Sequence, residues 1–203
     1  PQGAIRLNTD SQRLEFFAQD RWYEMATDTP ILEGGARGFI LGGYPGYTDR
    51  IERIQIATAG NGVDFGNLAY STSLKGNVSD RTRLCTFGDY NAPDSTMVNS
   101  IEFITMSSDG DTVDFGDMSE GRYSAQPVSN STRGVYMGGT NVYNSISGTI
   151  NNIEFITIQS TGNSVDFGDM TTKTSTGQGF SSPTRGISAG GTNPSGGGRQ
   201  NLI

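Results

Sequence analysis

The chain has 203 residues, with 14 basic against 21 acidic side chains, a formal charge of −7 and a pI near 4.5. An acidic surface repels phosphate backbones, which argues against nucleic-acid binding, and no run of about 18 apolar residues is present to insert into a membrane. Histidine is absent, which removes Ser-His-Asp and Cys-His nucleophilic machinery, His-based zinc sites and imidazole acid–base catalysis together, so neither an enzyme nor a metal or other cofactor is expected.

Positions 1–27 read as a three-strand meander. Gly3–Asn8, Arg13–Phe17 and Arg21–Met25 are apolar-polar runs separated by turn residues. The segment carries the only tryptophan, Trp22, beside Tyr23 and close to Phe16 and Phe17. So short a segment buries too little surface to stand alone. Phe16, Phe17, Trp22 and Tyr23 are therefore candidate oligomer contacts. The order Gly-x-Ile-Arg-x-Asn-Thr, then Glu-Phe, then Trp resembles the short hairpin modules of phage tail fibres and related appendages. That resemblance implies packing around a trimer axis, next to receptor-facing domains.

From position 28 to 203 the chain repeats a module of about 50 residues, three complete and a fourth started. Its marker is Val-Asp-Phe-Gly at 63–66, 113–116 and 165–168. An Ile-Glu pair, opening at Ile51, Ile101 and Ile153, stands at one constant distance before the marker's Asp. An Arg (Arg83, Arg133, Arg185) stands at a second constant distance after it. Only the interval from an Arg to the next Ile varies: Arg37 to Ile51 is the shortest, Arg133 to Ile153 the longest, with Arg83 to Ile101 and Arg185 to Ile203 between them. Length change confined to one loop separates scaffold from variable surface. Each module reads as four short strands: one opening at the Arg, one at the Ile-Glu pair, one at Val-Asp-Phe-Gly, and a weaker fourth such as Gly179–Ser182. Gly pairs at 42–43, 138–139 and 190–191 close the first strand. Gly88-Asp89 replaces the pair in the second module, with the turn expected to persist because Asp tolerates the left-handed region.

These features resemble kelch-type propeller repeats, although no Trp occurs in the modules. They look closer to the divergent propeller repeats of phage virion proteins, in which Asp-Phe-Gly and Thr-Arg-Gly recur. The expected fold class is all-β: an N-terminal antiparallel meander followed by kelch-like β-propeller-type repeats. The sequence ends at Ile203, partway through a fourth module. The ring would then be completed by the N-terminal segment, by further chain or a neighbour, or left as an open β array; completion by further chain or by oligomerisation is the favoured expectation.

Several residues invite chemistry. Asp-Phe-Gly is also a kinase metal tripeptide, but here it recurs without a Gly-rich loop, so Phe65, Phe115 and Phe167 are read as fillers between modules. Asp64, Asp114 and Asp166 are candidate acceptors for Arg83, Arg133 and Arg185, since a partly buried guanidinium needs an acceptor. Glu52, Glu102 and Glu154 compete for that role. Ser108–Asp114 resembles a calcium loop but lacks its closing Glu, and reads as an acidic turn. Cys85, the single thiol, is expected as a buried small hydrophobe. The variable connections are rich in Tyr, Asn, Ser, Gly and Pro, and Tyr44, Tyr47, Tyr90 and Tyr143 are the candidate surface contacts, for a host-surface glycan or for neighbouring subunits.

The resemblance implies a structural component of a phage particle (a fibre, whisker or surface decoration located in the virion) acting by adhesion, with other virion proteins as partners and a homo-oligomer, a trimer by preference. The alternative is a non-viral lectin-like or partner-binding propeller. A galactose-oxidase-like enzyme on the same fold needs copper-ligating histidines, which are missing.

Overall fold

A computed structural model describes residues 2–9, 13–25, 36–73, 75–143, 145–194 and 198–199. The chain is all-β, built from several small antiparallel sheets, with no α-helix among the described residues. It divides into two compact units, Pro1–Ile31 and Leu32–Ile203.

In the first unit β1 (Ile5–Asn8), β2 (Arg13–Ala18) and β3 (Arg21–Glu24) form the expected meander. Gln19 and Asp20 both have positive φ, 49° and 60°, the two-residue turn whose twist suits a hairpin. Phe16 stacks on Tyr23 at 5.5 Å, Phe17 meets Trp22 edge-on at 5.2 Å, and the Arg6 guanidinium lies 4.1 Å over Trp22. Glu15 is buried and accepts from Arg6 Nε and Asn8 Nδ2. The hydrogen bonds from Asn8 and Arg6 hold its carboxyl below the ordinary value.

The second unit opens with β4 (Arg37–Leu41), β5 (Thr48–Gln55) and β6 (Val63–Thr72) in one three-stranded sheet. A four-stranded sheet comes next, of β7 (Gly76–Ser79), β8 (Arg83–Asn91), β9 (Thr96–Thr105) and β10 (Val113–Asp117). The third repeats it with β11 (Gln126–Ser129), β12 (Arg133–Met137), β13 (Asn152–Thr157) and β14 (Val165–Asp169). Of the fourth, β15 (Gln178–Ser181) pairs with β16 (Gly186–Ala189), and β17 (Thr192–Asn193) with β18 (Gly198–Arg199). Residues 195–197 and 200 of its variable connection lie outside the described residues.

The weak strand belongs to the module after it. The sequence suggests that Gly179–Ser182 closes the third module, yet β7, β11 and β15 each pair with the next Arg strand. The cause is a short, repeated turn. Asp80 Oδ1 accepts the amides of Thr82 and Arg83, Asn130 Oδ1 those of Thr132 and Arg133, and Ser182 Oγ those of Thr184 and Arg185. Such side-chain-closed turns form a hairpin locally.

Val-Asp-Phe-Gly contains a β-bulge. The register slips between Asp114 and Gly116, leaving Phe115 without a cross-strand partner, and the same slip occurs at Phe65 and Phe167. A bulge re-aims its side chain, here toward the next module. Phe65 packs with Leu84, Ile104 and Met106, and Phe115 with Tyr136, Ile156 and Ile158, each Phe only 3% exposed. The next module's turn then lays its backbone along the bulged strand. Gly110 and Thr112 amides donate to Phe65 and Asn67 carbonyls, and Gly162 and Ser164 repeat this on Phe115 and Asp117. The approach requires glycine: a Cβ on Gly116, at φ +146°, would lie 2.4 Å from the Gly162 backbone. Among the described residues Phe167 has no such cover, and it is 54% exposed, so it does not fill space between modules as expected.

Two further expectations are corrected. Gly88-Asp89 makes no turn: it is a bulge between Phe87 and Asp89, and β8 runs on to Asn91. A bulge adds a residue and bends the strand without ending it, whereas Gly138-Gly139, at φ +62° and +98°, ends β12. Nor do the recurrent Arg and Asp pair. Arg83 donates to the Ile158 carbonyl at 3.0 Å and stacks 4.1 Å over Phe103; Arg133 stacks 4.3 Å over Phe155; Arg185 is exposed. Asp64, Asp114 and Asp166 are exposed. Asp114 sits directly across the ladder from Glu102, and Asp166 from Glu154. Glu102 and Glu154 are buried, at 3% and 2% exposure, while the Asp opposite each is left to solvent.

In the second and third modules the buried acid is that of the Ile-Glu pair, whereas Glu52 of the first is half-buried. Glu102 meets Lys75 at 3.1 Å and accepts from the Thr112 hydroxyl and the Ala69 amide; Glu154 meets Arg122 at 2.9 Å and accepts from Ser164, with Ser119 beside it. Burial pushes the Glu102 carboxyl up, but the Lys75 charge and its hydrogen bonds outweigh this and hold it below the ordinary value. Burial lowers Lys75, with Glu102 opposing.

Candidate functional site

The variable connections of three modules converge. The first supplies Tyr44 and Tyr47, the prolonged β8 supplies Tyr90, and the longest connection, after β12, supplies Tyr143. Tyr123, between β10 and β11, joins them from beneath, 8% exposed. The Tyr90 and Tyr143 rings stack at 3.7 Å and 12°. Tyr47 lies tilted 6.2 Å from Tyr90, Tyr44 meets Tyr47 edge-on at 5.8 Å, and Tyr123 is 6.0 Å from Tyr143. The Tyr47 and Tyr143 hydroxyls hydrogen-bond at 2.7 Å. That bond holds the Tyr47 phenol up at about 12.

These rings enclose a cavity of ≈ 300 Å³ lined by Tyr44, Tyr47, Ser73, Asp89, Tyr90, Tyr123 and Tyr143. Asp89, fully buried, forms its floor. Its carboxylate accepts from the Thr72 hydroxyl and from the Ser73 and Tyr90 amides. The bulge that corrects the Gly88-Asp89 reading is what places this acid under the rings and carries Tyr90 up beside Tyr143.

All four tyrosines singled out in the sequence thus meet in one place, and sequence reasoning missed Tyr123 and Asp89. Tyr123 lies outside the variable connections. The signal for Asp89 was visible as the one acid in a position held elsewhere by glycine. Lys75 and Arg122, which neutralise Glu102 and Glu154, were also missed. They stand where other modules carry Ala125, Thr72 and Thr174, so the repeat hides them.

Two further hollows are less suited to a ligand. One of ≈ 570 Å³, lined by Asp169, Met170, Thr172 and Ile187 among others, and one of ≈ 170 Å³ beside Phe167 and Arg185 both flank the uncovered side of the third module. Both are more open than the tyrosine cavity. The acidic turn Ser108–Asp114 is occupied in structure: Asp109 pairs with Arg53 of the preceding module at 3.1 Å, and Asp111 caps the Asn67 amide at 2.8 Å. Among the described residues, no group of three acidic or cysteine side chains is placed to hold a metal ion. Cys85 is buried at 0% exposure in the core, and burial pushes its thiol up to about 12.

No known family model matches the chain, and no curated protein matches it.

Proposed function

We propose that the chain is an adhesion module, in which β-sheets of propeller type form a rigid platform and the tyrosine pocket is its contact surface. The observation that carries this reading is the convergence of the variable connections. The segments free to change in length supply four of the seven residues that line the cavity, Tyr44, Tyr47, Tyr90 and Tyr143, while the strands keep their spacing. An arrangement of variable loops on an invariant scaffold suits recognition. Tyrosine suits it further, because a large amphipathic ring offers contact area at low entropic cost.

In this reading the chain is a structural component of a phage particle, as part of a fibre, whisker or surface decoration. The resemblance of the N-terminal meander and of the repeats to phage virion modules supports that placement. So does the meander's apolar surface: Ile5, Leu7 and Leu14 are 62%, 60% and 44% exposed on a three-stranded sheet. A sheet this small gains stability from a partner. A trimer of the chain, or another virion protein, would cover those side chains together with Phe16 and Tyr23 on the same face of the sheet, while Phe17 and Trp22 lie on the opposite face. A non-viral lectin-like module is the second reading, and the same pocket supports it.

The test is retention of the purified chain on intact bacterial cells and on immobilised surface glycans, compared with the double variant Tyr90→Ala/Tyr143→Ala. The adhesion reading expects retention by at least one surface and its loss in the variant, with the fold preserved by circular dichroism. Equal retention of both proteins contradicts it.

A further inference from the structure

Two rings of the tyrosine cluster are held in a geometry that favours a reaction between them. Tyr90 and Tyr143 stack with centroids 3.7 Å apart and planes inclined by 12°. Carbon atoms touch at about 3.5–4.0 Å, so the two rings overlap almost in full. They are closer than the separation of about 4.5–7 Å usual for aromatic pairs. The Tyr143 hydroxyl is anchored to that of Tyr47 at 2.7 Å, which keeps its ring from turning away. Tyr90 is half-buried near the end of β8, and Tyr143, in the connection after β12, is 39% exposed. An oxidant in solution can therefore draw electrons from the pair.

A phenol that loses one electron and one proton becomes a phenoxyl radical, with the unpaired electron spread over the oxygen and the ring carbons ortho and para to it. The bond between two such radicals forms along their p orbitals, perpendicular to each ring plane. Parallel rings in face contact meet that requirement before the reaction begins, and coupling becomes a unimolecular step between partners already in place. The other tyrosine pairs of the cluster do not meet it. Tyr44 and Tyr47 are inclined at 81°, Tyr47 and Tyr90 at 58°, and Tyr123 and Tyr143 at 42°, with centroids 5.8, 6.2 and 6.0 Å apart. Tyr23 and Tyr136 do stack, but on Phe16 and Phe87, which have no phenol to oxidise.

We propose that Tyr90 and Tyr143 are a site of oxidative cross-linking, which a one-electron oxidant converts to dityrosine, tying the second module to the variable connection of the third. Each phenol gives up one electron and one proton. One carbon–carbon bond forms between ring carbons ortho to the two hydroxyls. The hydrogen that each of these carbons carried returns through water to the phenol oxygen as the rings regain aromaticity. The net loss is two electrons, taken by the oxidant, and two protons, taken by water. The bond crosses the boundary between modules and closes a loop in the unfolded chain, so it should stabilise the fold as other cross-links do. It does not depend on what the pocket binds.

The experiment irradiates the full chain with tris(bipyridyl)ruthenium and persulfate, which accepts the electrons and becomes sulfate. The chain is kept dilute, and the monomer is isolated before it is read. The expected result is a monomer lighter by two hydrogen atoms, with the blue emission of dityrosine and a linked peptide pair that carries Tyr90 and Tyr143. Tyr90→Phe and Tyr143→Phe should each lose the emission, because each keeps the ring and removes one phenol, and circular dichroism verifies that they fold. Tyr44→Phe, which alters the most exposed ring of the cluster at 75%, should keep it. The cross-linked monomer should melt at a higher temperature than the untreated one. Dityrosine that joins any other pair in the monomer overturns the proposal, as does emission that survives in Tyr90→Phe or Tyr143→Phe, or a monomer with no dityrosine at all. It falls too if the chain unfolded in urea gives the same linked peptides in the same yield, since the stacked geometry would then be irrelevant. An unchanged melting temperature overturns the stabilising role of the bond.

Discussion

Truncating the same repeat residue in two modules should have very unequal effects. Phe115 and Phe167 occupy equivalent bulges in Val-Asp-Phe-Gly, but Phe115 is 3% exposed beneath the following module and Phe167 is 54% exposed. A Phe→Ala change in a closed core combines lost transfer energy with a cavity, at roughly 3–5 kcal/mol. Phe167 already keeps about half its surface in water and leaves no enclosed void, so Phe167→Ala should cost about 1 kcal/mol. For a chain of this size one kcal/mol moves Tm by about 2–4 °C. Phe115→Ala should therefore lower Tm by roughly 6–20 °C and Phe167→Ala by about 2–4 °C. Thermal melts followed by near-ultraviolet circular dichroism, with urea midpoints as a check, measure both. Because modules are coupled chiefly to their neighbours, Phe115→Ala should also broaden the transition between the second and third modules. Equal shifts would refute the reasoning, since they would mean that the third module's Phe is covered as fully as the second's.

The remaining expectations are narrower. Lys75→Met strands Glu102 as a lone buried charge and should cost about 3–5 kcal/mol, while Lys75→Met/Glu102→Leu should recover part of that, as a double-mutant cycle in urea will show. The Glu102 carboxyl titrates below its ordinary 4.5 when folded. It therefore contributes stability above that value and loses it as pH falls through the folded pKa, so Glu102→Gln should flatten the acid limb of the stability curve. Removing the phenol partner in Tyr143→Phe should let Tyr47 titrate below its present value of about 12, toward 10.0, in an ultraviolet pH titration. Cys85, buried and with its thiol raised to about 12, should resist a thiol reagent in the native state and react only as the second and third modules open.

Much of this architecture was legible in the sequence because the repeat marks it. The constant spacing from Ile to Asp places β5–β6, β9–β10 and β13–β14 with their bulges in the same register. The meander of the first unit emerges from alternation and turn residues alone. The phase of the sheets was not legible. Gly179–Ser182 is flanked by polar residues on both sides, and only the side-chain-closed turn at Ser182 decides its partner. The Arg–Asp pairing failed for a related reason. A pattern of recurring charges shows that they matter without showing how deeply each is buried, and here Glu102 and Glu154 are buried while the Asp opposite each is exposed.

The candidate site divides similarly. Composition pointed to Tyr44, Tyr47, Tyr90 and Tyr143, because an aromatic in a loop of variable length has no core to fill. That they meet depends on β8 continuing past the bulge at Asp89, a three-dimensional consequence of one Gly→Asp difference between modules. Lys75, Arg122, Tyr123 and Asp89 all sit where the modules differ from one another, and reading the chain by its repeats averages such positions away.

The central claim is that contact with a surface is made by the tyrosine pocket. The most direct measurement is side-chain nuclear magnetic resonance of the tyrosine and phenylalanine rings during titration with solubilised bacterial surface material. The account predicts that Tyr44, Tyr47, Tyr90, Tyr123 and Tyr143 shift together while Phe167 and Phe180, at the uncovered side of the repeats, stay fixed. Shifts confined to Phe167 and Phe180, with the five tyrosines unmoved, would contradict it.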